Sequence, residues 1–425
     1  MTSSTDLETS FPVAQLRAQF PALSRAIEGQ VPIYFDGPAG SQVPQCVADA
    51  VSTYLTTINA NHGGVFATSR ASDALLDEAH AALADFVGSD DPDSIAFGAN
   101  MTTLTLALSR ALGRTWRPGD EVIVTRLDHD ANVTPWVLAA RDAGARVLQV
   151  DIRAEDCTLD LADLEARLSS RTRLVAVGAA SNAVGTINPI AEIARRAHAV
   201  GAPLFVDAVH YAPHRSIDVQ DWDCDFLACS AYKFFGPHVG VLWGRRELLA
   251  ELPAYKLRPA SDELPGRWMT GTQNHEGIAG ALAAVGYLAD LGRSVATDAA
   301  HRRGALCAAF EAISAYETLL AGELLAGLKS IPEVKVWGIT DESRLGQRVP
   351  TVAITHERLS PREVAEYLAD RGIYVWHGNF YALPLTEALG LEPAGLVRIG
   401  LLHYNQRDEV RRLLAALEAL AGSGA

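Results

Sequence analysis

Short, wholly apolar runs alternate with amphipathic stretches between about residues 90 and 245. The runs at 94–97, 121–124, 146–150, 174–177, 204–206, 226–229 and 239–243 have strand length. Between several of them lie helical patterns such as 102–112, 132–143 and 190–200. Strands that stay apolar throughout and are separated by helices predict a mostly parallel sheet covered on both faces. Such sheets receive ligands at the carboxyl ends of their strands.

After about residue 276 the pattern changes. Long helical stretches at 277–291 and 297–328 lead into a smaller mixed unit. It reads as strands at 335–337, 351–354, 374–375 and 397–399 with helices at 361–370 and 407–420. The segment 338–348, polar and containing glycine, predicts a surface loop. The first thirty residues carry a helical pattern with no strand partner, and are expected to pack on the second unit. The expected organisation is therefore an N-terminal segment over 1–30, a large α/β domain over 31–290 and a small α+β domain over 291–425. The large domain should hold a mostly parallel, seven-stranded sheet.

Composition narrows the field. A chain of 425 residues, 48% hydrophobic and 20% charged, suits a protein with a large buried core. A net charge of -15 with no basic block opposes binding to nucleic acid or to an anionic membrane. The first residues lack the basic start and apolar centre of a secretory signal, and no run of membrane-spanning length stands out. Five scattered cysteines, with no Cys-x-x-Cys pair, predict reduced thiols in a cytoplasm and no bound metal.

The chemistry gathers at strand ends. The run 204–206 ends in Asp207, and 226–229 delivers the chain to Ser230, three residues before Lys233. A carboxylate and a lysine on neighbouring strand ends suit pyridoxal 5'-phosphate. Lys233 would hold it as a Schiff base, and Asp207 would keep the ring nitrogen protonated, making the ring an electron sink. Asn100, Met101 and Thr102 follow another strand and open a helix, where N–H groups and a hydroxyl suit a phosphate. The Ser230 hydroxyl falls within reach of the same phosphate. His129 offers a ring to stack on the cofactor, or simply starts a helix; Asn182 serves the cofactor's phenolic oxygen, or its own turn. Each alone has an ordinary structural reading, but five such signals at successive strand ends point one way.

With these residues in place, the chain resembles a fold-type I pyridoxal-phosphate enzyme of aminotransferase class V, in the group of cysteine desulfurases and selenocysteine lyases. The resemblance spans residues 11–420 and includes the opening run Tyr34-Phe35-Asp36-Gly37-Pro38-Ala39-Gly40. It implies cofactor roles for Asn182, Asp207, Ser230, Lys233, His129, His210 and Tyr232. Arg398 would clamp the substrate carboxylate, with Ala39 and Gly40 beside it; a bidentate guanidinium suits that task. Thr272 would reach the phosphate of a neighbouring subunit, so a homodimer with shared active sites and a small amino-acid substrate are expected.

Four departures bear on the reaction. Tyr381 stands where desulfurases of this group carry a cysteine, and Trp376 where they carry an arginine. His210 replaces a usual glutamine, Tyr232 a usual histidine, and Asn61-His62 a histidine–arginine pair. A phenol cannot become a persulfide; only a thiolate attacks the substrate's sulfur. The expected activity is thus β-elimination from a cysteine-like substrate by a C–S lyase that needs no cysteine of its own. Transamination and epimerisation share the first step and stay open, with Tyr381 or His210 as a second acid–base group. Trp376, Phe380, Tyr381, His62, His210 and His377 are candidates to line the pocket, or equally to pack the core of a loop, which is the expected role of Phe380. A non-catalytic, cofactor-binding scaffold is the rival from another class, and intact Lys233, Asp207 and Arg398 argue against it.

Overall fold

The computed structural model describes residues 11–296 and 299–422. Seven strands form the large sheet, in the order Ile95–Gly98, Gly240–Gly244, Phe226–Ser230, Leu204–Asp207, Thr172–Gly178, Glu121–Thr125 and Arg146–Val150. All neighbouring pairs are parallel except the two made by Gly240–Gly244. This is the mostly parallel α/β sheet expected, of fold type I.

The continuous apolar runs are explained by where their side chains go. Successive side chains on a strand point to opposite faces. Leu204 and Val206 enter one core, with the helices Ala67–Val87 and His275–Val295, while Phe205 enters the other. Val175 and Val177 likewise oppose Leu174 and Ala176. The second core is closed by the helices Met101–Gly113 and Thr134–Ala143. Each such fully buried side chain contributes roughly 1.5–3 kcal/mol. The helix expected from residue 132 starts at Thr134, with Pro135 in its first turn, where a missing N–H costs nothing. Residues 130–132 form a separate 3₁₀ turn.

The helices His275–Val295 and Arg302–Lys329 are long and apolar enough to cross a membrane by length and composition. Here they pack on each other and bury residues such as Leu288, Ile313 and Leu320 in the core. Charged residues within them, such as Asp290 and Glu317, explain why no uncharged run stands out in the sequence. The expected domain boundary at 290/291 falls inside the first of these helices, so a continuous helix, rather than a linker, joins the two units. The helix expected from 297 begins at Arg302, and residues 297 and 298 lie outside the described residues.

The smaller sheet is antiparallel, in the order Val334–Trp337, Thr351–His356, Leu396–Gly400, Trp376–Gly378. The strand expected at 374–375 is split. Ile373–Tyr374 pairs with Ile33–Tyr34, and the chain then changes sheets so that Trp376–Gly378 pairs with Leu396–Gly400. Residues 33–34 therefore belong with the second unit rather than with the large sheet. The loop expected at 338–348 holds a 3₁₀ turn at Glu342–Gln347 and ends in a buried arginine. Arg348 turns inward because its guanidinium satisfies the carbonyls of Ile339, Val184 and Thr351, tying the turn near Asn182 to the second unit. Of the N-terminal segment, residues 1–10 lie outside the described residues. The helix Val13–Arg17 docks on the second unit through Arg17, 2.7 Å from Glu409, while Phe20 contacts both Tyr404 and Phe235.

Candidate active site

The parallel strands end together. Gly178, Asp207 and Ala228 lie side by side, and Ser230 closes its strand opposite Gly240. Gly240 has no side chain because the start of the helix Met101–Gly113 passes over it; a Cβ there would lie 2.4 Å from the Asn100 carbonyl carbon. Asn100 caps that helix, its Oδ1 accepting the Thr103 N–H at 2.9 Å. Ser230 Oγ accepts the Met101 N–H at 2.9 Å, fixing the helix start against the strand end. Thr102 stands exposed at this positive end, on the wall of a cavity of about 840 Å³.

Lys233 projects into the cavity. The chain has only four lysines, and Lys256, Lys329 and Lys335 are engaged elsewhere, on Ala260 O, Thr340 O and the Trp337 ring. Lys233 Nζ donates to the carbonyls of Pro38 and, at 3.1 Å, Ala39. Burial, then the Arg398 guanidinium, pushes its amine down to about 7, against the pull of Asp207 and Asp36. Asp207 is also buried, its Oδ1 accepting the Val209 N–H at 2.9 Å, and burial pushes its carboxyl up to about 6. Asp36 is raised to about 6 by burial as well, and its Oδ1 has no hydrogen-bond partner among the described residues.

The second unit supplies the opposite wall. The change of sheet after Tyr374 sets Trp376 in register with Arg398. Arg398 is buried; its Nη1 donates to Asn182 O at 2.9 Å, and its guanidinium carbon lies 4.2 Å from the centre of the Phe380 ring. Phe380 packs partly against the core, as expected, and its ring also forms a wall of the cavity over the guanidinium. Burial pushes Arg398 down to about 9, and Asp36 pulls upward. Tyr381 stacks on His129 with ring centres 5.3 Å apart. Burial, then Lys233 and Arg398, push His129 down to about 4, so a neutral flat ring faces the cavity.

Most expected residues converge here. Asn182 lies at the wall, with Nδ2 donating to Phe380 O at 2.9 Å and a buried Oδ1 that has no partner among the described residues. His210 lines the cavity, but its Nε2 is engaged with Thr351 Oγ1 at 2.9 Å. Burial drives it well below the ordinary histidine range, which opposes a role as a charged acid. Tyr232 stacks on His238, Ala39 lines the cavity, and Gly40 sits one step behind against the Tyr232 ring. His62 and Thr272 are not brought to this chain's cavity. Both are exposed, and His62 lies 3.9 Å from Asp73 and edge-on to His275.

Sequence reasoning missed Asp36 as a site residue, although it stands in the quoted opening run. It also missed Asp128, buried beside His129 and bonded to Thr125 and Asn132; burial pushes its carboxyl up to about 7.

The family model of class V aminotransferases matches residues 33–413. The chain belongs to the aminotransferase class V family. It is 33% identical to a cysteine desulfurase of Dickeya dadantii over 425 residues, covering 96% of this chain and 97% of that one. A cysteine desulfurase of Serratia proteamaculans is 31% identical over 97% of this chain and 98% of its own length. Among solved structures, the apo cysteine desulfurase of Thermococcus onnurineus NA1 superposes with a TM-score of 0.85 at 28% identity, covering 97% and 98% of the two chains. The cysteine desulfurase CsdA of Escherichia coli (S-sulfonic acid) gives 0.83 at 27%, covering 97% and 99%. This class V protein is a pyridoxal-phosphate-dependent, cysteine desulfurase-like enzyme.

The residues fit that cofactor. Asp207 is a buried carboxylate with no ion pair among the described residues, and a protonated ring nitrogen supplies the missing cation. Asn182 Nδ2 keeps a second N–H beyond the one given to Phe380 O. The helix start at Met101–Thr102 suits the phosphate. An amine titrating near 7 is largely neutral, hence nucleophilic, just above neutrality. The rate at which apoprotein captures pyridoxal phosphate is therefore expected to rise through pH 7 and level off by about pH 8. An ordinary lysine would keep accelerating toward roughly pH 10. Stopped-flow absorbance across that range checks this, and continued acceleration above pH 9 would contradict it.

Proposed function

We propose that this class V enzyme is a β-eliminating C–S lyase that works without an enzyme persulfide. The observation that carries the reading is the loop 376–381. Tyr381 occupies it at the cavity, and among the described residues none of the five cysteines lines that cavity. Cys229, the one nearest in sequence to Lys233, is buried in its strand, and burial pushes its thiol far up, away from a reactive thiolate.

The bound cofactor supplies an electron sink at the substrate's Cα. The chain's own residues do the rest. Arg398 receives the substrate carboxylate, with Phe380 packed on its face and Asn182 O fixing its Nη1. Asp207 faces the ring nitrogen, Asn182 the phenolic oxygen and His129 the ring. Ser230 and Thr102 hold the phosphate. Lys233, displaced by the substrate's amino group, takes the proton from Cα. The Cβ–S bond then breaks with its electron pair leaving on sulfur, which takes a proton and departs as a thiol. The remaining three-carbon enamine adds water and yields pyruvate and ammonia. No oxidant or reductant enters.

A homodimer is part of this reading. Leu55, Val65 and Phe66, close to His62 in sequence, are exposed apolar residues, and Thr272 is exposed as well. In a homodimer that covers these residues, Thr272 would reach its neighbour's phosphate site, as the family resemblance implies. The free thiols suit a reducing, cytoplasmic setting.

The test is incubation of holoenzyme with cysteine and its S-substituted derivatives. Equimolar pyruvate and thiol, with no persulfide on the protein by mass spectrometry, is the expected result. A protein-bound persulfide formed from cysteine would overturn the reading. A keto acid that retains the β-substituent would mark a transaminase instead, and solvent deuterium at Cα with inversion an epimerase.

A further inference from the structure

The reading of a C–S lyase leaves open what the sulfur carries, and the loop 376–381 bears on that question. Phe380 and Tyr381 both have left-handed backbones, φ 56° and 59°, a conformation that bulky side chains rarely adopt. It persists because the loop is held at three points. Asn182 Nδ2 donates to Phe380 O, the Asp130 N–H donates to Tyr381 O at 2.7 Å, and the Tyr381 N–H donates to Asn379 Oδ1 at 3.1 Å. The strand before it is set by Gly395, φ 73°, where a Cβ would lie 2.3 Å from the carbonyl carbon of Gly378. The loop so held sets the rings of Trp376, Phe380 and Tyr381 at the cavity. Trp376 stays 51% exposed and Tyr381 72% exposed, although both line the cavity. Solvent-facing rings at a pocket mouth are what an apolar ligand group covers.

No carboxylate, lysine or arginine of the described residues stands exposed at that mouth, where the exposed imidazoles are those of His238 and His377. Among the described residues, the only Asp, Glu, Lys or Arg side chains lining the cavity are Asp128, Asp207, Lys233 and Arg398. All four are buried, and Asp128 is already satisfied by Thr125 and Asn132. A formally charged group on the substrate's sulfur would lose water among these rings with no Asp, Glu, Lys or Arg free to pair with it. Trp376 is in register with Arg398 and the Phe380 ring lies over its guanidinium, so these rings stand beside the group that would hold the substrate carboxylate.

We propose that the substrate class is cysteine S-conjugates whose sulfur carries an uncharged aromatic or bulky apolar group, and that Phe380, with Trp376 and Tyr381, determines this preference. The proposal rests on the lyase reading for the reaction, and on the aromatic mouth for the substrate.

Two measurements separate them. The first is equilibrium binding of amino acids that cannot eliminate, followed by calorimetry on holoenzyme, comparing alanine with homophenylalanine. Homophenylalanine is expected to bind at least about tenfold tighter, the lower end of what a fitting apolar pocket returns. Phe380→Ala should reduce that ratio severalfold; the ratio is the readout because losing the ring over Arg398 weakens both ligands through their shared carboxylate. Phe380→Leu should restore part of it, showing that the loop still folds. Equal binding of the two ligands to wild type would overturn the proposal, whatever the catalytic outcome. The second is pyruvate release from S-benzylcysteine, S-carboxymethylcysteine and S-aminoethylcysteine. S-benzylcysteine should show the highest kcat/KM by about tenfold or more, and preference for either charged conjugate would also overturn it. Preferential homophenylalanine binding without pyruvate from any conjugate would leave the specificity standing and sink the lyase reading alone.

Discussion

Replacing Lys233 with alanine is expected to give a folded protein that no longer shows the visible absorbance of covalently held pyridoxal phosphate. Its elimination rate should fall by at least about a hundredfold, the loss typical of removing a positioned general base. The chain leaves no substitute, because its three other lysines are engaged away from the cavity. Stability should barely change. Lys233 is held by the carbonyls of Pro38 and Ala39, both of which line the open cavity, so truncation admits water instead of creating a sealed void. Removing a desolvated amine also removes a cost, since burial already pushes it down to about 7. The apoprotein's unfolding midpoint should therefore move by no more than about 1 °C, equivalent to roughly 1 kcal/mol for a chain of this size. The comparison belongs to apoprotein, because bound cofactor stabilises by mass action. Retained absorbance, with the cofactor trapped on another lysine by borohydride reduction and mass spectrometry, would overturn the assignment.

How far the site could be read in advance follows from which contacts are local. The large sheet was legible because strands buried on both faces must be apolar at every position, as Leu204, Phe205 and Val206 show. Asp207, Ser230 and Lys233 were legible for the same reason: each lies just beyond such a run. The smaller unit was less so. Its decisive event, the change of sheets after Tyr374, involves strands of two and three residues, too short to carry a period. Without it, Trp376 cannot be placed opposite Arg398, nor Phe380 over the guanidinium. Asp36 was hidden differently. It gains its place only because Gly400, hundreds of residues later, pairs beside it and returns Arg398 to the cavity. His62 and Thr272 read as site residues from resemblance, but one chain leaves both exposed and outside the cavity.

Asp207→Asn separates the electrostatic role of this carboxylate from its shape. Asparagine keeps an oxygen for the Val209 N–H, so the turn after the strand should survive. What disappears is a buried negative charge near Lys233 and, in holoenzyme, the partner of the ring nitrogen. In apoprotein, Asp207 is one of two groups that hold the Lys233 amine up against burial and Arg398. Its neutralisation should move the pH at which the amine becomes neutral below about 7, so cofactor capture is half-maximal at lower pH than in wild type. In holoenzyme the sign is opposite: elimination should slow by about ten- to a hundredfold, the worth of a hydrogen bond to a charged group. The two readouts diverge because one concerns an amine that prefers to be neutral and the other a ring that must stay protonated. Capture and turnover both slowed at every pH would indicate a general disturbance of the cavity. Unchanged values of both would remove Asp207 from the site. Faster capture near pH 6 together with slower elimination is the pattern that a buried counter-charge on the strand end requires.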